Sequence, residues 1–322
     1  MTYDVIIIGT GPAGLTAALY ACRRSLKTLV VGQTMGGQAI LPACVENYPG
    51  FGKTDGMTLV KEWQSQAVAA GAEIVVGLVD EIEKEDDGFE VELEDGTEYK
   101  AKTIILAVGR TPRKLNVPGE VEFTGKGVAY CATCDAPLFA GKDVAVVGGG
   151  NAAVDAAILL ANIAKKVYLI YRGDQLKAEA ALTHKLDTLT NVEVMFDSTV
   201  AEISGANFVE SIKIANLPDN SQRNLVVQGA FIEIGGDANT DFVKDLVKLD
   251  DKQEIIIDER NQTSTKGVFA AGDATTVPFK QMIVAAGEGA KAALSAYNYI
   301  QGTSDIPGLG GTPDVFGRTT NK

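Results

Sequence analysis

The sequence predicts an α/β fold made of two similar nucleotide-binding units, the second inserted in the first. Three observations carry this. The apolar, β-branched run Tyr3-Asp4-Val5-Ile6-Ile7-Ile8 meets a glycine turn and then a good helix. The same strand–turn–helix pattern recurs from Asp143. After about residue 240 the chain returns to strands and a helix that complete the first unit.

The chain has 322 residues, more than one ordinary domain needs and right for two. Hydrophobic residues make up 46%, enough for packed cores. A net charge of -13 without any basic run makes nucleic acid and anionic membranes poor partners. The strand begins by Val5, leaving no room for a signal peptide, and no apolar run is long enough to span a bilayer. Four cysteines are too few for a secreted disulfide framework, so the expected compartment is the cytoplasm.

In the first unit the strand ends in Gly9-Thr10-Gly11-Pro12-Ala13-Gly14, and Leu15 to Arg24 reads as the helix. Gly9 makes the tight turn, Gly11 lets a pyrophosphate approach the backbone, and Gly14 lets helix and strand pack. The next strand, Thr28–Val31, ends in Gly32-Gln33 where a ribose-binding acid is usual. Gly36-Gly37-Gln38 and Val45-Glu46-Asn47-Tyr48-Pro49-Gly50 are turn-rich, and read either as cofactor loops or as ordinary surface. A helix follows from Gly56 to Gly71, then a strand at Ile74–Val76. Alternation from Val79 to Lys100, with turns at Asp87-Gly88 and Asp95-Gly96, predicts an antiparallel meander. Thr103–Ala107 reads as a buried strand ending near Gly109, and Asn116-Val117-Pro118-Gly119 as a linker.

Cys131-Ala132-Thr133-Cys134-Asp135 is the chemical centre of the chain. Two thiols two residues apart can open and close a disulfide on one turn, and Asp135 can shuttle a proton beside them. Half a zinc site or two inert buried thiols are the bland alternatives, but zinc usually needs four ligands and the remaining thiols and imidazole, Cys22, Cys44 and His184, are scattered and form no second close pair. No metal is expected. His184 reads as a surface residue and Cys22 as a small buried apolar one.

The second unit has its strand at Asp143–Val147, the turn Gly148-Gly149-Gly150-Asn151-Ala152-Ala153 and a helix from Val154 to Ile163. Its second strand, Lys166–Ile170, ends at Tyr171-Arg172-Gly173, with Lys177 beyond. Either a second nucleotide binds here or the fold persists with its ligand lost. Short strands fill Val192–Ile234, and Gly235-Gly236-Asp237-Ala238-Asn239-Thr240 reads as a second linker. Strands are expected at Glu254–Ile257 and Gly267–Ala271, the latter ending at Gly272-Asp273. A long helix starts at Lys280-Gln281-Met282 and runs to about Tyr299. The tail, 301–322, is Gly-, Thr- and Pro-rich and reads as a disordered end.

In this order, Gly9–Gly14, Glu46–Gly50, Cys131–Asp135, Gly148–Ala153 and Ala271-Gly272-Asp273 with Lys280-Gln281 resemble the low-molecular-weight thioredoxin reductases. The resemblance covers residues 1 to about 300, and that family also lacks the ribose acid. It implies a homodimer of two Rossmann-like domains with antiparallel β-meanders. FAD would bind residues 1–115 and 241–300, at Gly9, Gly11, Pro12, Ala13, Gly14, Gly37, Gln38, Asn47, Gly109, Gly272, Asp273, Lys280, Gln281 and Met282. Residues 116–240 would bind NADPH, at Gly148, Gly150, Asn151, Ala152, Arg172 and Lys177, and carry the disulfide. In the family this domain rotates, so the disulfide faces first the flavin and then a thioredoxin-like protein. Cys134 would be the flavin-side thiol, Cys131 the attacking thiol and Asp135 the acid/base.

The chain departs from that family at the nicotinamide site. Tyr171, Arg172, Gly173 and Lys177 stand where His-Arg-Arg and a later Arg are usual, and an Arg-to-Lys change loses bidentate geometry. This leaves the donor open between NADPH, NADH and ferredoxin, the last with Phe316 covering the flavin and Lys165, Lys166 and Lys177 as a basic patch. A dithiol oxidase acting on small molecules and a flavin-bound sensor without turnover are the other readings.

Overall fold

The computed structural model describes residues 2–40, 45 and 47–303. Its strands are β1 (Thr2–Ile8), β2 (Thr28–Gly32), β3 (Glu73–Val76), β4 (Val79–Glu85), β5 (Gly88–Leu93), β6 (Glu98–Leu106), β7 (Arg110–Pro112), β8 (Val128–Ala129), β9 (Asp143–Val147), β10 (Lys166–Ile170), β11 (Val192–Met195), β12 (Ser198–Gly205), β13 (Val209–Asn216), β14 (Gln222–Val226), β15 (Gly229–Ile232), β16 (Gly236–Ala238) and β17 (Val268–Ala270). The α-helices are α1 (Pro12–Arg23), α2 (Gly56–Ala69), α3 (Ala132–Asp135), α4 (Asn151–Ala161), α5 (Ala180–Asp187) and α6 (Met282–Ile300).

A seven-stranded sheet has the order β3-β2-β1-β6-β5-β4, with β17 also on β6. Residues 103–107, expected as a separate strand, continue the meander strand directly. The first half of β6 pairs antiparallel with β5 and its second half parallel with β17. One face is covered by α1 and α6, whose contact is lined by Ala13, Ala17, Ala21, Ala285, Ala292 and Ala296. Gly289 permits that approach, because a Cβ there would lie 2.0 Å from the Ala13 carbonyl oxygen. Residues from opposite ends of the chain are thereby held at one edge of the sheet.

A second sheet, order β11-β10-β9-β15-β8, is parallel throughout. Its central strands β9 and β15 are buried on both faces, as their near-continuous apolar runs require, while the edge strand β11 is half-buried. On one face lie α3, α4 and α5, with Leu160, Leu186 and Phe231 in the core. The antiparallel meander β12-β13-β14 covers the other through Val200, Ile203, Ile212 and Ile214.

The two sheets are joined by a short antiparallel ladder, β7 with β16. Side chains reinforce it: Arg110 donates to the Gly236 carbonyl, and Arg113 pairs with Asp237 at 2.6 Å. The expected linker at 116–119 is instead packed structure. Leu115 and Val117 join the second core, and Ile203 N–H donates to the Pro118 carbonyl at 2.9 Å. Buried Glu120 fastens this turn, its carboxylate accepting from the Leu115 and Asn116 N–H groups at 2.8 and 2.7 Å and from the Tyr130 hydroxyl at 3.0 Å. The Asn-Val-Pro-Gly composition signalled a turn; it could not show that a buried acid ties the turn down.

A second difference concerns residues 254–257. Only Ile255 makes β-bridges there, to Leu249 and Thr275. Glu254, its neighbour, is drawn into a charge cluster with Arg110 and Lys280. Among the described residues no helix is long and apolar enough to cross a membrane.

Glu120→Ala leaves three donors around a buried position without their acceptor. It should destabilise the fold by about 2–3 kcal/mol, seen as a lower urea midpoint at unchanged slope. A midpoint equal to the parent's would show that Glu120 does not anchor the turn.

Candidate active site

Strand β8 delivers the chain to the redox pair. Cys131 is the extended residue capping α3, and Cys134 lies on that helix. The two are joined in a disulfide, with Cα atoms 5.4 Å apart. The Cys131 carbonyl accepts from the Cys134 and Asp135 N–H groups at 3.2 and 3.1 Å, which closes the turn. Ala132 and Ala136 are buried in the second core, while Thr133 between them is exposed. Burial alone pushes the Asp135 carboxyl up to about 6, close to neutrality and suited to moving protons.

The first glycine turn fits a dinucleotide. Gly9 and Gly14 are fixed by packing: a Cβ on Gly9 would lie 2.1 Å from the Ala107 oxygen, and one on Gly14 1.8 Å from the Gly9 oxygen. A Cβ on Gly11 would meet nothing nearer than the Gly36 oxygen at 3.9 Å. That is the open backbone a pyrophosphate needs, where α1 starts with Pro12. Gly37 faces Gly11 across the gap, and exposed Gln38 follows it on a short 3-10 turn. Gly272, at φ +80°, sets its backbone against Ala13 and Ala285, which brings the second half of the chain to the same turn.

Beside Gly272, the Asp273 carboxyl is raised by burial and accepts no hydrogen bond among the described residues. A ribityl or sugar hydroxyl would satisfy it. Asn47 donates to the Gln281 side chain at 3.3 Å, so the turn-rich loop and the start of α6 do meet. Met282 is the first residue of α6. Lys280 donates to the Thr275 carbonyl and pairs with Glu254 at 3.3 Å, and Arg110 pairs with the same Glu254. The Gly109 carbonyl accepts from Asn239 N–H at 3.1 Å, at the junction between the sheets. An FAD-sized dinucleotide would lie along Gly11, Gly37 and Asp273.

The second glycine turn differs. Gly148 is forced by its neighbour, since a Cβ there would lie 2.3 Å from the Glu233 carbonyl oxygen. Gly150 is open, with nothing within 4 Å of its Cβ position. Gly149 lies against the Tyr171 ring, 2.3 Å from ring carbon to Cβ position. Asn151 is tied to Glu179 by two hydrogen bonds, at 2.9 and 2.8 Å, beside exposed Ala152. Arg172 and Lys177 are both exposed, and neither side chain makes an ion pair among the described residues.

His184 is exposed on α5, as expected. Cys22 is half-buried on α1, and burial pushes its thiol up. Cys44, Glu46 and Phe316 lie outside the described residues. Three residues were not expected at the site: Arg110, Glu254 and Glu233. Glu233 did leave a signal, a single acid inside the apolar run Gly229–Ile234.

A closed cysteine pair, a half-buried carboxyl behind it and two strand–glycine turn–helix units point to an oxidoreductase working on disulfides. The chain belongs to the pyridine nucleotide-disulphide oxidoreductases, whose family model matches residues 3–289. It is 43% identical over 306 residues to the alkyl hydroperoxide reductase F protein of Pseudomonas putida, a match that covers 94% of this chain and 59% of that protein. The Staphylococcus aureus protein of that name is 40% identical, with 92% and 59% covered. The chain thus spans about three-fifths of these curated relatives. Among solved structures, thioredoxin reductase of Streptococcus pyogenes superimposes with a TM-score of 0.86 at 39% identity, covering 94% and 99% of the two chains. That of Giardia duodenalis gives 0.85 at 37%, covering 93% and 99%.

Asp135 gives a pH signature. Its carboxyl rises from 3.8 to about 6 on folding, so its contribution to stability is full below the unfolded value and is lost as pH rises through the folded one. Asp135→Asn escapes that loss. It should be more stable than the parent near pH 8, with the advantage fading towards pH 4. Urea midpoints of the oxidised proteins across this range check it; a difference independent of pH would contradict the buried charge.

Proposed function

We propose that this chain is an FAD-dependent reductase of a protein disulfide, with the Cys131–Cys134 pair as its electron outlet. The closed pair with half-buried Asp135 beside it carries this reading. FAD, when bound, supplies the route by which two electrons from a donor reach the disulfide. The chain's own residues do the rest. As the Cys131–Cys134 bond opens, it leaves one thiolate and one thiol, and Asp135 holds or returns the proton at sulfur. The Cys131 thiolate attacks a disulfide of the partner, forming a mixed disulfide and releasing one partner thiolate. Cys134 then attacks the Cys131 sulfur, restoring the internal disulfide and releasing the second partner thiol. Two electrons and two protons pass to the partner in each cycle.

A thioredoxin-like protein is the substrate this reading favours, in keeping with the structures named thioredoxin reductase. The name of the curated relatives also points to a partner that serves peroxide reduction.

For the donor, the second turn favours NADH over NADPH. A 2′-phosphate would find two flexible exposed cations, Arg172 and Lys177, and no arginine at Gly173. The Glu179 carboxylate, held at Asn151, adds repulsion. A ferredoxin donor has less support, since Lys165 and Lys166 are paired with Asp143 and Glu193 and offer little free positive charge.

Cys134→Ser should keep bound FAD and lose disulfide reduction by at least roughly 10³-fold, as expected for loss of a covalent participant. Reduction of thioredoxin at the parent rate would end this mechanism. Anaerobic stopped-flow should show NADH bleaching the flavin with at least roughly tenfold higher kcat/KM than NADPH, the worth of about one charged hydrogen bond. Equal or reversed preference would remove the donor assignment.

A further inference from the structure

Glu233 follows β15 at the carboxyl edge of the second sheet, between β9, which leads into the glycine turn, and β8, which leads to Cys131. Its backbone is locked there, the N–H donating to the Val147 carbonyl at 2.9 Å. Its carboxylate accepts from Ala132 N–H at 3.1 Å, the residue bonded directly to Cys131. No cation pairs with it among the described residues. An unpaired carboxylate in such a place costs stability, so its retention calls for a chemical reason.

We infer that Glu233 is a positioning residue for the redox turn, one that anchors the Cys131 end through Ala132 N–H and whose negative charge holds back the Cys131 thiolate. This rests on the disulfide reductase reading above. Covalent geometry keeps the Cys131 sulfur within about 5 Å of the Ala132 nitrogen, and so within about 8 Å of the bonded carboxylate oxygen. A like charge at that range in a half-buried site raises a thiol pKa by roughly one unit. Disfavouring the thiolate destabilises the reduced pair, which makes it a stronger electron donor to its partner.

The surroundings leave Glu233 in control of this charge balance. Asp135 on α3, and Arg113 with Asp237 beside the β7–β16 ladder near Gly235, are the charged groups on the elements next to it. None bonds to it or perturbs it: burial pushes its carboxyl up to about 7, opposed only by the Ala132 N–H. Tyr130 on the β8 side is taken up by Glu120. On this inference the charge state of the Glu233 carboxyl bears on the Cys131 thiol.

The test measures iodoacetamide alkylation of Cys131 against pH in the FAD-loaded Cys134→Ser protein, with and without Glu233→Gln. Glutamine still accepts from Ala132 N–H, so the turn is kept while the charge goes. The alkylation midpoint should fall by roughly one unit in the double variant, and thiolate reactivity below the midpoint should rise roughly tenfold. The protein retaining Glu233 should show a step near the carboxyl's own titration that the glutamine variant lacks. If Glu233→Gln fails to fold, the profile in an added Asp135→Asn background, where Glu233 is the remaining carboxyl beside the pair, decides: a second step that persists supports the inference and its loss overturns it. Midpoints within about 0.2 units of each other, or a single step with Glu233 present, would overturn the inference. Alkylation needs no turnover, so this outcome is independent of whether thioredoxin proves to be the substrate.

Discussion

The structure depends on one constraint: parallel strands deliver their carboxyl ends to a common edge. At that edge of the second sheet, β8 ends beside the cysteine turn, β9 ends in a glycine turn and β15 ends at Glu233. Groups from residues 131 to 233 therefore meet there, and the Ala132 N–H bonds the Glu233 carboxylate across that distance in sequence. The first sheet repeats the arrangement, with β1 and β17 bringing Gly9–Gly14 and Gly272-Asp273 together. Small side chains make the second meeting possible, because α1 and α6 approach closely only across alanine and glycine.

Charge is placed unevenly around these edges. Near the first turn, Arg110, Glu254 and Lys280 compensate one another in a buried cluster. Near the disulfide, Asp135 and Glu233 have no paired cation among the described residues, and burial raises both. Compensated charges hold a fixed geometry. Uncompensated carboxyls near neutrality can exchange protons during a reaction that makes and removes thiolates. Arg110 also donates to Gly236, so the cluster at the first turn reaches the ladder that joins the two sheets.

Much of this was legible in the chain itself. The strand–turn–helix units were plain because glycine positions and apolar runs obey local rules that need no tertiary partner. The Cys131–Cys134 pair was plain because three-residue spacing already puts the sulfurs within reach. The linker at 116–119 misled because a Pro-Gly turn looks the same whether it bridges domains or is pinned by a buried acid. The strand at 254–257 misled because a short apolar run does not reveal that Glu254 is claimed by Arg110 and Lys280.

The sequence by itself determined the class of fold, the two dinucleotide turns and the redox pair, since each is written in contiguous residues. Only the tertiary structure decided which carboxylates stand without a counter-charge, where the chain crosses between sheets, and that Glu233 lies beside Cys131. Those facts depend on burial and on contacts between residues about a hundred positions apart. A linear pattern does not encode such distances, because they arise only when sheets close their cores and expel water from the groups between them.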